Sequence, residues 1–309
     1  MSRPIVTVVG SFAVGMTLRT SRMPVFGETL IGSDFDMGPG GKGSNQAVAT
    51  ARLGAESYFV GIIGDDKLGE IATDLYASEG VNTNYLKKTD EMATGVGFII
   101  LDPKGHNGII LDMSANHLMD EAYVDKAEAQ IARSAIVMSV LEIPAPAAAH
   151  AMRLGRKHHV RTLLNPAPAA PLSDEVFRNV DFITPNETEL RVLQGLPPDD
   201  STPTEELARR LQGRGARTII VTMGEQGSLV LTNGETFHVP SVAVEVVDTT
   251  GAGDAFNSGL AMALAEGKDL VSAVKYATCA GALACTKLGV IPALANRPAV
   301  DALYQQAFG

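Results

Sequence analysis

The stretch that decides the fold is Asp248-Thr249-Thr250-Gly251-Ala252-Gly253-Asp254, which continues into Ala255-Phe256-Asn257-Ser258-Gly259. A β-branched apolar run at 242–247 precedes it and a helical pattern follows it, so we expect a strand-to-helix turn. Backbone N–H groups at a helix start lack intrahelical partners, and the macrodipole makes that end positive. Two glycines let the backbone approach a ligand closely. The turn therefore predicts a binding site for a phosphate oxyanion.

The acid that closes this turn, Asp254, predicts a second role. A carboxylate is a poor ligand for an anion, but it can accept the proton of a hydroxyl that attacks a bound phosphate. The alternative is an ordinary turn in which Asp254 is the N-cap of the helix. A short glycine-rich loop alone does not decide between them.

A second glycine cluster, Gly38-Pro39-Gly40-Gly41-Lys42-Gly43-Ser44-Asn45-Gln46, precedes an alanine-rich helical pattern. It is not a Walker loop, because Lys42 is followed by glycine and not by Ser or Thr. Its letters also match G-x-G-x-x-G, and the acidic pair Asp65-Asp66 follows about twenty residues later, so a dinucleotide site is an alternative. Against it, the first predicted strand ends well before the loop, and the turn at 248–254 would have no explanation.

Together, the two motifs resemble the ribokinase/phosphofructokinase-B family of carbohydrate kinases, and within it most closely the ribokinases. The resemblance rests on Gly40-Gly41-Lys42-Gly43-x-Asn45 and Asp248-Thr249-x-Gly251-Ala252-Gly253-Asp254. It extends over nearly the whole chain, through Gly10-Ser11, Gly64-Asp65-Asp66, Asn165-Pro166-Ala167-Pro168-Ala169 and Thr184-Pro185-Asn186-Glu187-Thr188-Glu189. Two distant motifs in the right order are more specific than either one alone.

Composition narrows the classes of partner and compartment. The chain has 309 residues and a formal net charge of -10, with no basic patch, so nucleic acid and anionic membranes are poor partners. Its two cysteines, Cys279 and Cys285, are expected on one helix, where they point in different directions and cannot easily pair. No signal-peptide pattern opens the sequence and no apolar run is long enough to span a bilayer, so we expect a cytoplasmic protein.

Short apolar strands alternate with helical patterns along most of the chain. Strands are predicted at 5–9, 58–63, 136–139, 162–165, 182–184 and 218–222, and helices at 45–53, 68–79, 123–132, 147–155, 187–194 and 204–213. This alternation predicts an α/β three-layer sandwich with a mostly parallel central sheet. Ligands bind such sheets outside the carboxyl ends of the strands, so the motifs should meet at one rim.

Two segments break the alternation and predict antiparallel strands. One is 23–37, and the other is 94–101 with 108–112, split by a turn at 102–107. An ordinary hairpin excursion is one explanation. The resemblance implies instead a small β-sheet lid over the sugar, at about 12–37 and 94–113, that often also joins two subunits. We expect one kinase domain over 1–309 and a homodimer formed through the lid.

The resemblance also implies roles for individual residues. Asp254 is the expected base, and Gly251, Ala252 and Gly253 are expected to donate N–H groups to the transferred phosphoryl group. The sugar is expected at Gly40, Gly41, Lys42, Asn45, Glu142 and Asp254, and the nucleotide at Asn186, Thr222, Gly224 and Gly227. Glu189 is expected to hold Mg²⁺ through water, and a monovalent cation, K⁺, is expected at Asp248, Thr250, Ala284 and Gly289. Simpler roles are open for two of these: Glu142 as a satisfied cap, and Glu189 as a first-turn acid favoured by the helix dipole.

One position departs from the family pattern. Relatives carry Asn-x-Asp after the first strand, and the Asp binds two ring hydroxyls; here Ala13 and Gly15 stand in those places. Hydrogen bonds to a charged group are worth about 1.5–3 kcal/mol each, so ribose should bind less well. We hypothesise an acceptor that lacks one hydroxyl, carries an apolar or bulkier group, or is held by another residue. The nearby candidates are Thr17, Arg19 and Arg22.

The function predicted from these features is ATP-dependent phosphorylation of the primary hydroxyl of a sugar or sugar-like polyol, with ATP, Mg²⁺ and K⁺. A nucleoside kinase is one alternative; it would stack a base on aromatic rings, which make up only 5% of the chain, and Phe12 is the nearest candidate. A sugar- or nucleotide-binding protein without catalysis is the other.

Overall fold

The computed structural model describes residues 3–103, 107–232 and 234–309. Its strands are β1 (Ile5–Val9), β2 (Ala13–Arg19), β3 (Ser33–Gly40), β4 (Glu56–Gly64), β5 (Asn82–Thr89), β6 (Gly95–Leu101), β7 (Asn107–Asp112), β8 (Ile136–Val140), β9 (Arg161–Asn165), β10 (Phe182–Ile183), β11 (Thr218–Thr222), β12 (Ser228–Thr232) and β13 (Glu235–Val239). Its helices are α1 (Lys42–Arg52), α2 (Lys67–Glu79), α3 (Glu121–Asp125), α4 (Glu128–Ile131), α5 (Ala145–Lys157), α6 (Asp174–Arg178), α7 (Glu187–Val192), α8 (Thr204–Gly213), α9 (Ala252–Ala265), α10 (Leu270–Ala284), α11 (Val290–Ala293) and α12 (Arg297–Phe308).

The central sheet has nine strands within the described residues, in the order β13-β12-β11-β10-β9-β8-β1-β4-β5. From β5 to β11 the neighbours are parallel, and β12 and β13 add an antiparallel edge. All five residues of β8 are buried, as expected for a parallel strand covered on both faces.

Helices cover both faces of this sheet and form two separate cores. Val8 of β1 packs in one core with residues of α1, α9 and α10. The next residue, Val9, points the other way and packs in a second core with residues of α5 and α8. This alternation along one strand confirms the predicted three-layer α/β sandwich.

Four other strands form a small separate sheet in the order β3-β2-β6-β7. β2 pairs with β3 and β6 with β7 in antiparallel fashion, but β2 and β6 are parallel neighbours. The two excursions therefore join into one sheet, and independent hairpins are the wrong description. Val14 of β2 is fully buried in the core that contains Val8, and it anchors this sheet to the rest of the molecule.

Most predicted elements are confirmed within a few residues, and β1, β11 and α8 match their predicted bounds. Three predictions are wrong. The run at 242–247 is irregular and makes no strand, the strand predicted from 23 begins only at Ser33, and the helix predicted at 123–132 is divided into α3 and α4. Positions 104–106 of the turn predicted at 102–107 lie outside the described residues.

The run at 242–247 fails as a strand because other contacts hold it. The N–H groups of Val247 and Asp248 both donate to the carbonyl of Cys285, at the end of α10, at 2.8 and 3.2 Å. The side chains of Val246 and Val247 stay more than half exposed. A β-branched sequence alone therefore did not specify a strand here. Across the described ranges, no helix combines the length and apolar character needed to cross a membrane.

Candidate active site

The sequence motifs meet at one rim of the central sheet. Ser11 follows β1, Glu142 follows β8, and Asn165 ends β9. Asn186 follows β10 and forms an isolated parallel bridge with Thr222, the last residue of β11. The rim was predicted from the rule for parallel sheets. The turn at 248–251 also reaches it, but it arrives through the irregular segment 242–247 and not from a strand.

Asp254 lies at the centre of this rim and is only 4% exposed. Gly251 is the N-cap of α9, so the alternative in which Asp254 caps the helix is wrong. Its carboxylate faces α1 instead: Asn45 Nδ2 donates to Oδ2 at 2.8 Å, and Gln46 Nε2 donates to Oδ1 at 3.1 Å. The two glycine motifs, far apart in sequence, thus share one buried polar network.

Gln46 is a site residue that sequence reasoning missed. Its Nε2 atom also donates to Asn165 Oδ1 at 3.1 Å, so both of its amide hydrogens have partners. Asn45 and Gln46 stand side by side in the second glycine motif, but the family resemblance implies a role only for Asn45. The signal that could have found Gln46 is a polar residue in an otherwise alanine-rich buried helix.

The same network contains acceptors that suit a ligand. Asn45 Oδ1 and Gln46 Oε1 are buried and accept no hydrogen bond from any described residue. Buried polar atoms are rarely left without a partner in native proteins. A ligand that donates from hydroxyl groups would satisfy them.

Glu142 sits beside the glycine loop and is 8% exposed. Its Oε2 atom accepts from Ser11 Oγ at 2.6 Å and from the backbone N–H of Lys42 at 2.7 Å. Burial raises the pKa of Glu142, and the charge of Lys42 and the Ser11 hydrogen bond only partly oppose this. The carboxylate therefore holds the first residue of α1, as the capping alternative predicts, and it does so at the rim.

Lys42 supplies positive charge between the carboxylates. The pKa of Lys42 is raised, mainly by the charge of Asp254, although burial acts in the opposite direction. Glu142 and Glu189 add smaller contributions of the same sign. The ammonium group is therefore held protonated close to Asp254.

In the turn before α9, Gly251 has a backbone conformation that suits an oxyanion site, whereas the N–H of Ala252 already has a hydrogen-bond partner. Gly251 has φ of 81°, and a Cβ there would lie 2.5 Å from Val290 Cγ1, so only glycine fits. The N–H of Ala252 donates to the carbonyl of Thr249 at 3.2 Å. Of the three predicted donors, Ala252 would thus have to share or exchange its partner to bind an anion.

A cavity of about 700 Å³ opens beside this turn. Three of the residues predicted for the nucleotide line it: Thr222, Gly224 and Gly227. Ala252 and Gly253 also line it, so the cavity reaches the predicted phosphoryl site. Its remaining wall includes Val242, Val244 and Val246, so the irregular apolar segment contributes to the cavity.

Asn186 and Glu189 form a reciprocal capping box at the start of α7. Glu189 N–H donates to Asn186 Oδ1 at 2.7 Å, and Asn186 N–H donates to Glu189 Oε2 at 2.8 Å. Burial raises the pKa of Glu189, while the Asn186 N–H and the charge of Lys42 act against it. The structure thus gives Glu189 a capping-box role that was not predicted, in addition to its position as a first-turn acid, and it places this carboxylate within electrostatic range of Lys42 and Asp254.

The residues predicted for a monovalent cation surround one loop. Asp248 Oδ1 accepts from Thr250 N and Oγ1 at 2.9 and 2.6 Å, and Asp248 Oδ2 accepts from Gly289 N at 3.1 Å. Burial alone would raise the pKa of Asp248, but these hydrogen bonds outweigh it and the pKa is lowered. Ala284 is the last residue of α10, next to the Cys285 carbonyl that binds this loop. No group of three or more His, Cys, Asp and Glu in the described parts of the chain could hold a metal ion.

Gly15 stands where relatives carry the sugar-binding Asp, and its neighbours in the small sheet are also glycines. Gly15 of β2 pairs with Gly38 of β3 on one side and with Gly97 of β6 on the other. By register this row lies on the face of the small sheet that carries Gly40. A Cβ at Gly15 would make only ordinary contacts, 3.7 Å to the Gly38 carbonyl and 3.8 Å to Ile99 Cδ1.

The three residues proposed to replace that carboxylate are placed differently. Thr17 lies on the same face of β2 as Gly15, one pair further along. Arg22 forms a bidentate ion pair with Glu28 at the surface, and Arg19 lines a separate cavity of about 280 Å³. Thr17 is therefore the candidate best placed to contact the acceptor.

Two alternative functions lose their supporting residues. Phe12 is fully buried and packs edge-on against Tyr76, so it cannot stack on a nucleoside base. Asp66, which completed the dinucleotide pattern, is the N-cap of α2 and accepts from Thr94 Oγ1 at 2.7 Å. Its role is to join α2 to the segment that enters β6.

Comparison with known proteins identifies the family of the chain. The model of the pfkB family of carbohydrate kinases matches residues 4–297. The chain is 36% identical to a ribokinase of Haemophilus influenzae, over 96% of each chain. It is also 36% identical to a deoxyribokinase of Salmonella typhi, over 92% of this chain and 93% of that one.

Solved structures give the same result. The Arabidopsis thaliana ribokinase complexed with ribose and ATP superposes with a TM-score of 0.91 at 30% identity, covering 98% of this chain and 99% of that one. The Thermotoga maritima ribokinase gives 0.89 at 31% identity with the same coverage. The chain therefore belongs to the pfkB family of carbohydrate kinases.

Proposed function

We propose that this protein transfers the γ-phosphoryl group of ATP to the primary hydroxyl of a sugar or sugar-like polyol that differs from ribose. Family membership makes it an ATP-dependent sugar kinase. The observation that carries the proposal is the position of Asp254: buried, hydrogen-bonded to Asn45 and Gln46, and next to a cavity that reaches Gly253.

Asp254 is the proposed general base. Its carboxylate takes the proton of the acceptor hydroxyl as the hydroxyl oxygen bonds to the γ-phosphorus. The bond from that phosphorus to the bridging oxygen breaks, and ADP leaves with its electron pair. Asn45 and Gln46 keep the carboxylate oriented, which removes the entropic cost of aligning it during the reaction.

Acceptor and phosphoryl group are held by groups on either side of Asp254. Gly40, Gly41, Asn45 and Glu142 provide the acceptor site, where the orphaned Asn45 Oδ1 accepts a hydroxyl hydrogen bond. On the other side, Lys42 and the N–H groups of 251–253 stabilise the charge on the moving phosphoryl group. We propose that Ala252 N–H exchanges its bond to Thr249 for this ligand.

The nucleotide is proposed to lie in the 700 Å³ cavity against Thr222, Gly224 and Gly227, with its phosphates toward Asn186. Mg²⁺ would arrive bound to these phosphates and neutralise their charge. Glu189 would hold it through water, which suits a carboxylate whose own oxygen already accepts from Asn186 N–H.

K⁺ is proposed at the Asp248 loop, with carbonyl oxygens of Thr250, Ala284 and Gly289. The lowered pKa of Asp248 keeps a negative charge there, which favours a cation among neutral carbonyls. A cation bound at this loop would stabilise the turn that begins at Gly251.

The row Gly38, Gly15 and Gly97 supports the proposed preference for an acceptor other than ribose. No side chain projects from these three positions on the face that carries Gly40, so the acceptor meets neither a carboxylate nor a steric barrier there. An acceptor with a bulkier or less polar group at that point would fill the space.

We further propose a single kinase domain over 1–309, in which the small sheet is the lid and also joins two subunits. One face of that sheet exposes Leu18, Phe35, Met37, Phe98 and Ile110. Soluble monomers rarely expose a large continuous apolar patch, so we propose that a second copy of the chain covers this one in a homodimer. The free thiols of Cys279 and Cys285 support a reducing, cytoplasmic setting.

The decisive experiment is ADP release from MgATP with K⁺ over a panel of pentoses, hexoses, ketoses, deoxysugars, polyols and nucleosides, with Asp254→Asn as the blank. One strong acceptor, silent in the variant, is the expected result. Efficient turnover of ribose would overturn the specificity proposal, and a nucleoside as best acceptor would overturn the sugar site.

A further inference from the structure

The guanidinium of Arg52, at the last residue of α1, joins three helices. It forms a bidentate ion pair with Glu79 at the end of α2, with Nε–Oε2 2.8 Å and Nη2–Oε1 2.6 Å. Its Nη1 atom donates to the carbonyls of Ile291 and Leu294, each at 2.7 Å. The side chain is only about a quarter exposed. The fork geometry of arginine makes all four bonds possible at once.

The two carbonyls belong to the end of the four-residue helix α11, which is too short to be stable by itself. At its end, Leu294 N donates to Val290 O at 3.2 Å, a long backbone bond. Arg52 binds the carbonyls that such a helix leaves without partners, where positive charge is also favoured. The position of α11 thus depends on Arg52 and on packing against its neighbours.

The other end of α11 supports the phosphoryl-binding turn. Gly289, its N-cap, donates its N–H to Asp248 Oδ2 at 3.1 Å. Val290, its first residue, is so close to Gly251 that no side chain fits between them. A shift of α11 would therefore change the contact of Gly289 with Asp248 and that of Val290 with Gly251, the two ends of the turn.

We propose that Arg52 is a positioning residue for the turn at 248–251. Through α11 it fixes Gly289 and Val290 against that turn, about 15 Å along α1 from the acceptor loop. One helix then sets both partners of the reaction: Asn45 and Gln46 orient Asp254 directly, and Arg52 positions the phosphoryl-binding turn from the opposite end. The kinetic consequence of this proposal rests on the proposed kinase function, but its structural consequence does not.

The test compares Arg52→Met, Arg52→Lys and a matched control, Arg297→Met. Arg297 also forms a bidentate pair with a glutamate, Glu266, close to α1, but its described bonds do not reach α11. Amide hydrogen exchange is measured on the protein without ligands. We expect Arg52→Met to speed exchange at 286–294 and also at 246–253 by about tenfold or more. Arg52→Lys, which keeps the charge without the fork, should be intermediate, and Arg297→Met should leave both segments unchanged.

Faster exchange at 286–294 with unchanged exchange at 246–253 would overturn the proposal, since Arg52 would then hold α11 without affecting the turn. A loss of protection over the whole molecule in Arg52→Met would indicate general destabilisation; Glu79→Gln and Arg52→Lys then provide milder changes that must still affect 246–253 selectively.

Kinetics with the best acceptor give a second readout. Positioning of the turn predicts a kcat about tenfold lower in Arg52→Met, with the acceptor KM within about twofold of wild type. An acceptor KM that rises while kcat is unchanged would contradict it. If the wild-type protein phosphorylates no acceptor, the proposed function fails, and the exchange experiment still decides the role of Arg52.

Discussion

Asn45 donates a hydrogen bond from Nδ2 to Oδ2 of Asp254 at 2.8 Å, although 209 residues separate them in sequence. Gln46, the next residue, binds the other carboxylate oxygen. The helix that begins at the acceptor loop therefore also orients the proposed base. In the proposed mechanism, acceptor binding and base alignment are therefore properties of one rigid element, which holds both in place before ATP reacts.

Replacing Asp254 by Asn should reduce kcat by about 10²–10⁴, the usual contribution of a general base. Acceptor and ATP affinities should stay within a few fold, because the amide keeps the size of the carboxylate. ADP release gives kcat, and calorimetry gives the two affinities. Asp269→Asn, at the exposed N-cap of α10, is the control and should not change kcat. Full activity of Asp254→Asn would remove this residue from the mechanism.

Replacing Gln46 by Leu should lower kcat about 10–100-fold, because one hydrogen bond to the charged Asp254 is worth about 1.5–3 kcal/mol. The KM for ATP should not change, since Gln46 lies on the acceptor side. Gln46→Glu, which places a like charge against Asp254, should be worse than Leu. The order of kcat is therefore wild type, Leu, Glu, and a Leu variant as fast as wild type would show that Asn45 alone orients the base.

The fold could be predicted largely because it follows from local patterns. Apolar strands buried on both faces and helices between them are visible as alternating runs, and β1 and β11 were found at their bounds. The segment 242–247 could not, because its last residue, Val247, is held by the Cys285 carbonyl at the end of a distant helix. Strand propensity is read from the local sequence and does not include such a contact between distant residues.

The candidate site could also be predicted only in part. The residues that motifs and resemblance proposed lie at one rim, but the partners between them were not foreseen. Gln46 is the clearest case, because its hydrogen bond to Asp254 forms only when α1 and α9 pack together. The sequence alone also left Asp254 able to cap its own helix. A glycine such as Gly251 reveals the need for a special backbone, whereas its neighbour Val290 has no signature in sequence.

Replacing Gly251 by Ala should lower both stability and kcat. The residue has φ of 81°, which costs about 1–2 kcal/mol for a residue with a Cβ, and that Cβ would overlap Val290. We expect a Tm lower by a few degrees and a kcat at least about tenfold lower. Thermal unfolding and ADP release measure the two effects.

Gly253→Ala is the matched control for that experiment. A Cβ at Gly253 meets no described atom within 4 Å, and the residue lies within α9. Alanine is favoured over glycine in a helix by about 1 kcal/mol, so Tm should stay the same or rise slightly. Because Gly253 lines the cavity at the proposed phosphoryl site, the added methyl group should still lower kcat, so Tm is the quantity that the two variants compare. Equal losses of Tm in both variants would mean that any methyl group added to the turn destabilises it, and that the strain at Gly251 is not the cause.

The raised pKa of Glu142 predicts the pH dependence of acceptor binding. Burial is the main cause, so the carboxyl takes up a proton at a higher pH than an exposed glutamate does. The acceptor KM should rise as the pH falls through this pKa, because the protonated group accepts hydrogen bonds less well. Steady-state kinetics from about pH 8 to about pH 5 measure it, and Glu142→Gln should abolish the dependence.

Stability should respond to Glu142 with the opposite sign. The pKa in the folded protein lies above that in the unfolded chain, so the folded state binds the proton more tightly. Above the folded pKa the buried charge costs stability, and this cost is relieved as the pH falls through it. Glu142→Gln should therefore unfold at a higher temperature than wild type at neutral pH, and the difference should shrink in acid. A variant less stable at neutral pH would show that the hydrogen bonds from Ser11 and Lys42 outweigh burial.

Replacing Gly15 by Asp should improve the use of ribose. The carboxylate would lie on the face of the small sheet that carries Gly40, and a Cβ is accommodated there. A hydrogen bond to a charged group is worth about 1.5–3 kcal/mol, so the KM for ribose should fall about 10–100-fold. The KM for the natural acceptor should rise, because the group that fills the row Gly38, Gly15 and Gly97 would meet the new side chain.

Gly15→Asn separates charge from size in this experiment. It adds nearly the same volume without a charge, so it should hinder the natural acceptor as Asp does and improve ribose much less. If both variants leave ribose unchanged, the acceptor does not reach this row, and specificity must come from Glu142 and Asn45 instead. If the wild type already uses ribose at low KM, Gly15 does not weaken ribose binding. Another residue on the same face must then hold the ring hydroxyls, and Thr17 is the first to test.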